Sequence, residues 1–101
     1  MPQQILLQKF VQLINHFYLE KRTIEEYADL LSVTPNYLSQ SIKLVSGKNA
    51  LGFINERIMT EAKSMIQFSN LDIAEIAYQL NFSDASNFGK FFKKYAEVTP
   101  V

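Results

Sequence analysis

An all-α fold, two helix pairs separated by one long helix, is predicted by three features of the sequence. Apolar residues recur at three- and four-residue steps through nearly the whole chain, the spacing of amphipathic helices. Glycine and proline are scarce, three of each in 101 residues, which disfavours a turn-rich β architecture. A helix-start signature, threonine or aspartate followed three residues later by glutamate, occurs at Thr23–Glu26 and again at Asp72–Glu75, each time ahead of the same apolar pattern.

The first helix is expected from about Gln3 to Tyr18, where Ile5, Phe10, Leu13, Ile14 and Phe17 form one stripe. The segment "LEKR" is its polar stop. Thr23 and Glu26 then start a second helix by satisfying free backbone N–H groups of its first turn. Ile24, Tyr27, Ala28 and Leu31 are its buried face, and it should end near Ser32. In "TPNYLSQSIKLVSG" Thr34 is the N-cap, Pro35 takes the first helical position and Gly47 closes the helix. Leu38, Ile42 and Val45 give that helix its apolar stripe. A long helix follows, capped by Asn49 and lined by Phe53, Ile54, Ile58, Ala62, Met65 and Ile66. About 18 residues give it a length of roughly 27 Å.

The remainder repeats the second and third helices at a period of about fifty residues. Ile73, Ile76, Ala77 and Leu80 take the places of Ile24, Tyr27, Ala28 and Leu31. Glu75 matches Glu26, and Ser83 matches Thr34. After one inserted residue Phe88 matches Leu38, Lys90 matches Gln40, Phe92 matches Ile42 and Lys93 matches Lys43. The expected division is residues 1–48, a linker helix over 49–69, and residues 70–101.

Composition excludes several kinds of chemistry. Cysteine is absent and His16 is the only histidine, so thiol–imidazole pairs and the usual zinc motifs are impossible. His16 ends an apolar-periodic helix, where a surface or half-buried role is the expectation. Gly47, Gly52 and Gly89 are too scattered for a phosphate-binding loop. No enzyme activity, cofactor or metal is expected. No apolar run approaches the ~18 residues of a membrane span, and no signal peptide is visible, a pattern compatible with the cytoplasm. The ends of the chain, "MPQQILLQKF" and "TPV", read as those of a fragment excised from a longer protein.

A short helix, a tight turn and a second helix form the helix-turn-helix, whose second helix enters the major groove with its N-terminal residues at base edges. An αα-corner that only packs has the same outline, and the charges decide between the two. Net charge is zero, yet the leading helices carry Glu25, Glu26, Asp29, Asp72 and Glu75 and no cation. The trailing helices carry Lys43, with Lys48 beyond it, and Lys90, Lys93 and Lys94, with no acid from Ala85 to Ala96. Phosphate attraction follows this local field rather than the total. Asn36, Ser39, Gln40 and Lys43 share one face of the first trailing helix, opposite Leu38 and Ile42. Ser86, Asn87, Lys90, Lys93 and Lys94 share a face of the second, while Phe88, Phe92 and Tyr95 point inward and Phe91 packs at the margin. Asparagine and glutamine can bond adenine through two atoms, lysine can reach guanine, and serine can serve many bases.

The stretches "LLSVTPNYLSQSIKLVSGKNALGFINERI" and "IAEIAYQLNFSDASNFGKFFKKYAEVTP" resemble the DNA-binding domain of AraC/XylS-type bacterial transcription regulators. The most specific matches are Ile76-Ala77, Phe82-Ser83, Phe88, Phe92-Lys93-Lys94 and Thr99-Pro100. The resemblance implies seven helices, with two helix-turn-helix subdomains joined by a rigid linker helix. Both recognition helices would enter successive major-groove segments, a turn of ~34 Å apart. By position it implies base contacts from Asn36, Ser39, Gln40, Ser86, Asn87 and Lys90. Thr34, Lys43, Lys93 and Lys94 are the corresponding phosphate-contacting candidates. Double-stranded DNA is the implied partner, RNA polymerase a second one, and a sensor or dimerisation domain is the part missing here.

The chain departs from the family pattern at identifiable places. Asn81 stands where glycine is usual, and asparagine tolerates the left-handed conformation next best, so positive φ is expected there. Glu97 replaces the glycine before "VTP", the base-facing places are light in arginine, and the chain stops before the family's short final helix and arginine. A helical protein-interaction module that has lost DNA binding is the alternative. A salt titration separates the two, because phosphate contacts give a steep slope.

Overall fold

The structure, a computed structural model, describes residues 2–98. Its helices are α1 Gln3–Phe17, α2 Ile24–Leu30, α3 Pro35–Ser46, α4 Ala50–Phe68, α5 Ile73–Gln79 and α6 Ala85–Val98. The described residues contain no strand. The chain divides into two compact units, the first ending at Arg57 and the second beginning at Ile58, so the division falls inside α4.

In the first unit α3 packs on both α1 and α2. Its core is Leu6, Phe10 and Ile14 of α1, Tyr27, Ala28 and Leu31 around α2, Leu38 and Ile42 of α3, and Ala50 and Ile54 of α4. Phe10 is the hub, with the Tyr27 ring edge-on at 5.6 Å and the Phe53 ring at 6.2 Å. The expected stripe on α1 is corrected by one residue. Leu6 is fully buried and Ile5 is 42% exposed, because a four-residue step back from Phe10 reaches Leu6 whereas a five-residue step turns away from the core. The middle of α4 is tied to the C-terminal end of α1 through Arg57. Arg57 Nε donates to Asn15 Oδ1 at 2.9 Å while its guanidinium lies 4.1 Å from the Tyr18 ring centre.

The N-terminus of α2 forms the expected capping box: Thr23 Oγ1 accepts from the Glu26 N–H at 3.2 Å, and Glu26 Oε1 accepts from the Thr23 N–H at 3.2 Å. Thr34 caps α3 by accepting from the Tyr37 N–H at 3.1 Å, with Pro35 at the first helical position. Gly47 ends α3 with φ of 77°, a left-handed conformation suited to glycine. Asn49 Oδ1 accepts from the Gly52 N–H at 2.7 Å and opens α4.

In the second unit α5 packs on α6. Ile58, Met59 and Ala62 of α4, Ile76, Ala77 and Leu80 around α5, and Phe88 of α6 are buried. Ile66 and Ile73, both expected on the buried faces, are 43% and 48% exposed. Met59, which was not among the expected lining residues of α4, is buried. The capping box at α5 is complete, with Asp72 Oδ1 accepting from the Glu75 N–H at 2.8 Å. The repeat therefore reproduces its caps more faithfully than its apolar first turn.

One correspondence is corrected. Asp84, not Ser83, is the counterpart of Thr34 at the start of the trailing helix, since Asp84 Oδ1 accepts from the Asn87 N–H at 2.8 Å. Ser83 is the inserted residue. Thr99 and Pro100, which belong to the family pattern, lie outside the described residues.

Candidate nucleic-acid interface

The two turns that carry the trailing helices share one backbone device. After α2, Ser32 adopts φ of 57°; its N–H donates to Asp29 O at 3.1 Å, and the Val33 N–H donates to Ala28 O at 3.0 Å. After α5, Asn81 adopts φ of 61°; its N–H donates to Tyr78 O at 3.1 Å, and the Phe82 N–H donates to Ala77 O at 2.9 Å. These paired bonds are the Schellman motif, which satisfies the last carbonyls of the helix and turns the chain sharply. The positive φ expected at Asn81 is present, and Ser32 repeats it without an obvious sequence signal.

The segment ahead of α2 and the second turn are each braced from inside. The Tyr27 hydroxyl donates to Lys21 O at 2.7 Å, holding the segment ahead of α2 against the core. Burial pushes the Tyr27 phenol up to about 12, the Glu26 carboxylate adds to the rise, and Arg22 opposes it. The hydroxyl of Thr23 holds the Glu26 carboxyl below its ordinary range, burial opposes this, and bonds from the Arg22 and Thr23 backbone reinforce it. In the second unit the Phe82 ring lies 5.2 Å from Phe88 and 5.1 Å from Phe91, and Phe91 lies 4.7 Å from Tyr95. Phe91 is half-buried in that cluster, which is the packing role expected of it.

On α3, Asn36, Gln40 and Lys43 are exposed and Ser39 is half-buried, while Leu38 and Ile42 on the opposite side are buried. On α6, Ser86, Asn87, Lys90, Lys93 and Lys94 are all exposed. Thr34 is exposed, but its hydroxyl is occupied in the cap of α3. Lys43 Nζ donates to Gly47 O at 3.0 Å, so this ammonium also complements the negative end of its own helix. Lys48 is paired with Glu56 and lies 4.0 Å from the Phe53 ring centre, which removes it from the basic surface expected around α3. Lys94 Nζ lies 5.5 Å from the Tyr95 ring centre. The two helices therefore differ: α3 presents amides with one lysine, and α6 presents three lysines.

Two features of these faces lie beyond the expected residues. Tyr37, 40% exposed, and Leu44, 73% exposed, stand seven residues apart on the margin of the α3 polar arc. Their position off the Leu38–Ile42 stripe is visible in the sequence as apolar residues out of register. The second is a hydrogen bond between Asn87 Nδ2 and Ser83 Oγ, which depends on the inserted residue. No helix among the described residues is long and apolar enough to cross a membrane.

Residues 27–101 match the family described as "Helix-turn-helix domain". Among curated proteins, the chain is 29% identical over 90 residues to the "Uncharacterized HTH-type transcriptional regulator YtdP" of Bacillus subtilis, covering 89% of this chain and 12% of that protein. It is 28% identical over 99 residues to the "Regulatory protein PocR" of Salmonella typhimurium, covering 98% of this chain and 33% of that protein. The chain thus spans a third or less of these relatives. Among solved structures, the C-terminal domain of AraT, a response regulator from Geobacillus stearothermophilus, is similar with a TM-score of 0.79 and 30% identity, covering 88% of this chain and 74% of that one. The match runs through both turns and both trailing helices, and the chain belongs to the helix-turn-helix domain family of AraC/XylS-type transcription regulators, as a DNA-binding output domain.

Proposed function

We propose that the chain reads double-stranded DNA by placing α3 and α6 in successive major-groove segments. The carrying observation is that each trailing helix exposes a polar, lysine-bearing face while its other side is bound into a core. Asn36, Ser39 and Gln40 would meet bases from α3, and Ser86, Asn87 and Lys90 from α6. Lys43, Lys93 and Lys94 would meet phosphates. Thr34 keeps its place among the phosphate candidates through its position at the helix start, although its hydroxyl acceptor is spent on the cap. Because Lys48 is paired with Glu56, α6 should supply most of the electrostatic attraction and α3 relatively more of the hydrogen-bonded reading.

The site is an asymmetric pair of segments centred about 10 base pairs apart, since the two recognition helices are unlike. Residues 49–69 serve as the linker between the two reading heads. The mode of action is binding without catalysis, in the cytoplasm. The greater length of the relatives supports a sensor or dimerisation domain in the regulator that carries this chain, and RNA polymerase is its further partner.

Gln40→Ala and Lys93→Ala test the reading. Gln40→Ala should weaken the best duplex by roughly 1–3 kcal/mol and flatten the preference at one or two base pairs. Lys93→Ala should weaken the best and scrambled duplexes alike and lower the salt slope by about one unit. Lys93 serves better than Lys43, whose ammonium also stabilises its own helix end. Equal losses on both duplexes for Gln40→Ala would remove it from the base readers. A salt-independent affinity would favour the protein-interaction alternative.

A further inference from the structure

The second helix-turn-helix has one residue more in its turn than the first. From Ser32 the first reaches its cap through Val33 to Thr34; from Asn81 the second passes Phe82 and Ser83 before Asp84. The added residue brings a hydroxyl to the side of the helix start. Asn87 is held there twice. Its backbone N–H donates to Asp84 Oδ1 at 2.8 Å, and its side-chain Nδ2 donates to Ser83 Oγ. The first unit has Tyr37 at the equivalent position, three residues after the cap, so it cannot make this pair.

The consequence is chemical. A primary amide has two N–H donors and one carbonyl acceptor, and rotating it by half a turn exchanges donor and acceptor. An untethered asparagine can therefore offer different pairs of groups to different bases. With one N–H engaged by Ser83 Oγ, Asn87 keeps one N–H and Oδ1, side by side. Adenine presents a matching acceptor and donor at N7 and N6 in the major groove, whereas guanine presents two acceptors at N7 and O6. Holding the amide before contact also reduces the side-chain entropy lost on binding.

We infer that Ser83 is a positioning residue that fixes the amide of Asn87 for adenine and so sets the preference of the second recognition helix at one base pair. This rests on the reading of Asn87 as a base contact. The hydroxyl acts through Asn87 and need not touch DNA.

The test uses the 101-residue chain and duplexes it selects from a randomised pool. The readout is the affinity for the selected duplex relative to duplexes with each other base pair substituted, position by position, and relative to a scrambled duplex. Asn87→Ala should abolish an adenine preference at one base pair. Ser83→Ala should reduce discrimination at that same base pair by about threefold to tenfold, the weight of one hydrogen bond. Ser83→Thr, which keeps a hydroxyl, should restore it. In the Asn87→Ala background, Ser83→Ala should have no further effect on this ratio. A merely structural Ser83 would change affinity for all duplexes together, and that result overturns the inference. So does full discrimination in Ser83→Ala, or a guanine preference assigned to Asn87, since the two acceptors of guanine call for two N–H donors and not for one N–H beside Oδ1. A wild-type chain that binds selected and scrambled duplexes equally defeats the DNA-reading proposal itself, and the inference falls with it. Discrimination in the wild type that survives Ser83→Ala defeats the inference alone.

Discussion

Ser32 is the more informative of the two left-handed turn residues. Its φ of 57° places an L-residue with a Cβ where glycine is most at ease. The left-handed conformation costs a non-glycine residue roughly 1–2 kcal/mol. Replacing Ser32 with glycine removes that cost but makes the unfolded chain more flexible, a loss of about 0.4–1 kcal/mol. The balance is a gain of up to about 1.5 kcal/mol, centred near 0.8. The hydrogen bonds of the turn are all from backbone atoms, Ser32 N–H to Asp29 O and Val33 N–H to Ala28 O, so the substitution leaves them in place. Ser32 is exposed, and no core contact is lost. For a domain of this size 1 kcal/mol corresponds to about 4–8 °C, so Ser32→Gly should raise the melting temperature by roughly 3–6 °C.

Ser32→Val supplies the opposite sign. A β-branched residue resists the left-handed region more than serine, and the melting temperature should fall by an amount corresponding to about 1 kcal/mol or more. Asparagine is better adapted to this conformation than serine, so Asn81→Gly should gain less than Ser32→Gly and lie near neutral. Asn81→Val should cost about 1 kcal/mol or more. Thermal unfolding followed by far-ultraviolet circular dichroism gives all four values. If Ser32→Gly lowers the midpoint while Ser32→Val leaves it unchanged, the turn does not carry the conformational cost assigned to it.

Asp84→Ala should cost about 1 kcal/mol as the loss of an N-cap, measured by urea unfolding, while Ser83→Ala should leave the midpoint nearly unchanged; the reverse order would restore Ser83 to the cap. Tyr27 has its folded-state value raised to about 12 against an unfolded value near 10, so its contribution to stability is constant below about pH 10 and falls between about 10 and 12. Tyr27→Phe should abolish that alkaline fall and lose about 1 kcal/mol at neutral pH, which urea midpoints across the alkaline range will show. Glu26 has its folded value lowered, so its contribution is present above the ordinary carboxylate range and is lost as pH falls through the depressed value. Glu26→Gln, which can still close the capping box, should flatten that acid limb without abolishing the cap; an unchanged acid limb would remove Glu26 from it.

What was legible in the sequence, and what was not, follows from the range over which each signal acts. Caps act within one turn of helix. Thr23, Thr34, Asn49 and Asp72 were readable because each must find its backbone N–H within a few residues, and all four do. Apolar periodicity is blunter. It placed Phe10, Ile14, Tyr27, Leu38, Ile42, Ile76 and Phe88 in the core, but the stripe was carried to Ile5, a five-residue step from Phe10, where the four-residue step reaches the buried Leu6. Nor could it demote Ile66 and Ile73, whose burial depends on what the rest of the fold brings against them. The exposed polar faces of α3 and α6 were legible as sets, because the polar side of an amphipathic helix is the complement of its core side.

The state of each side chain within those sets was not legible, because a polar group's partner can lie on either side of an element boundary. Nothing in the composition shows that Lys48 is neutralised by Glu56, that Lys43 spends a hydrogen bond on Gly47, or that Ser83 engages Asn87. These differences give two helices of similar pattern unequal chemistry. α3 offers an amide-rich face with a single exposed lysine, and α6 offers three lysines together with an asparagine whose amide is already oriented. The two halves of the repeat therefore present unlike faces. On the proposed reading, the same asymmetry that should make the footprint non-palindromic would also fix the direction in which the domain lies on its site.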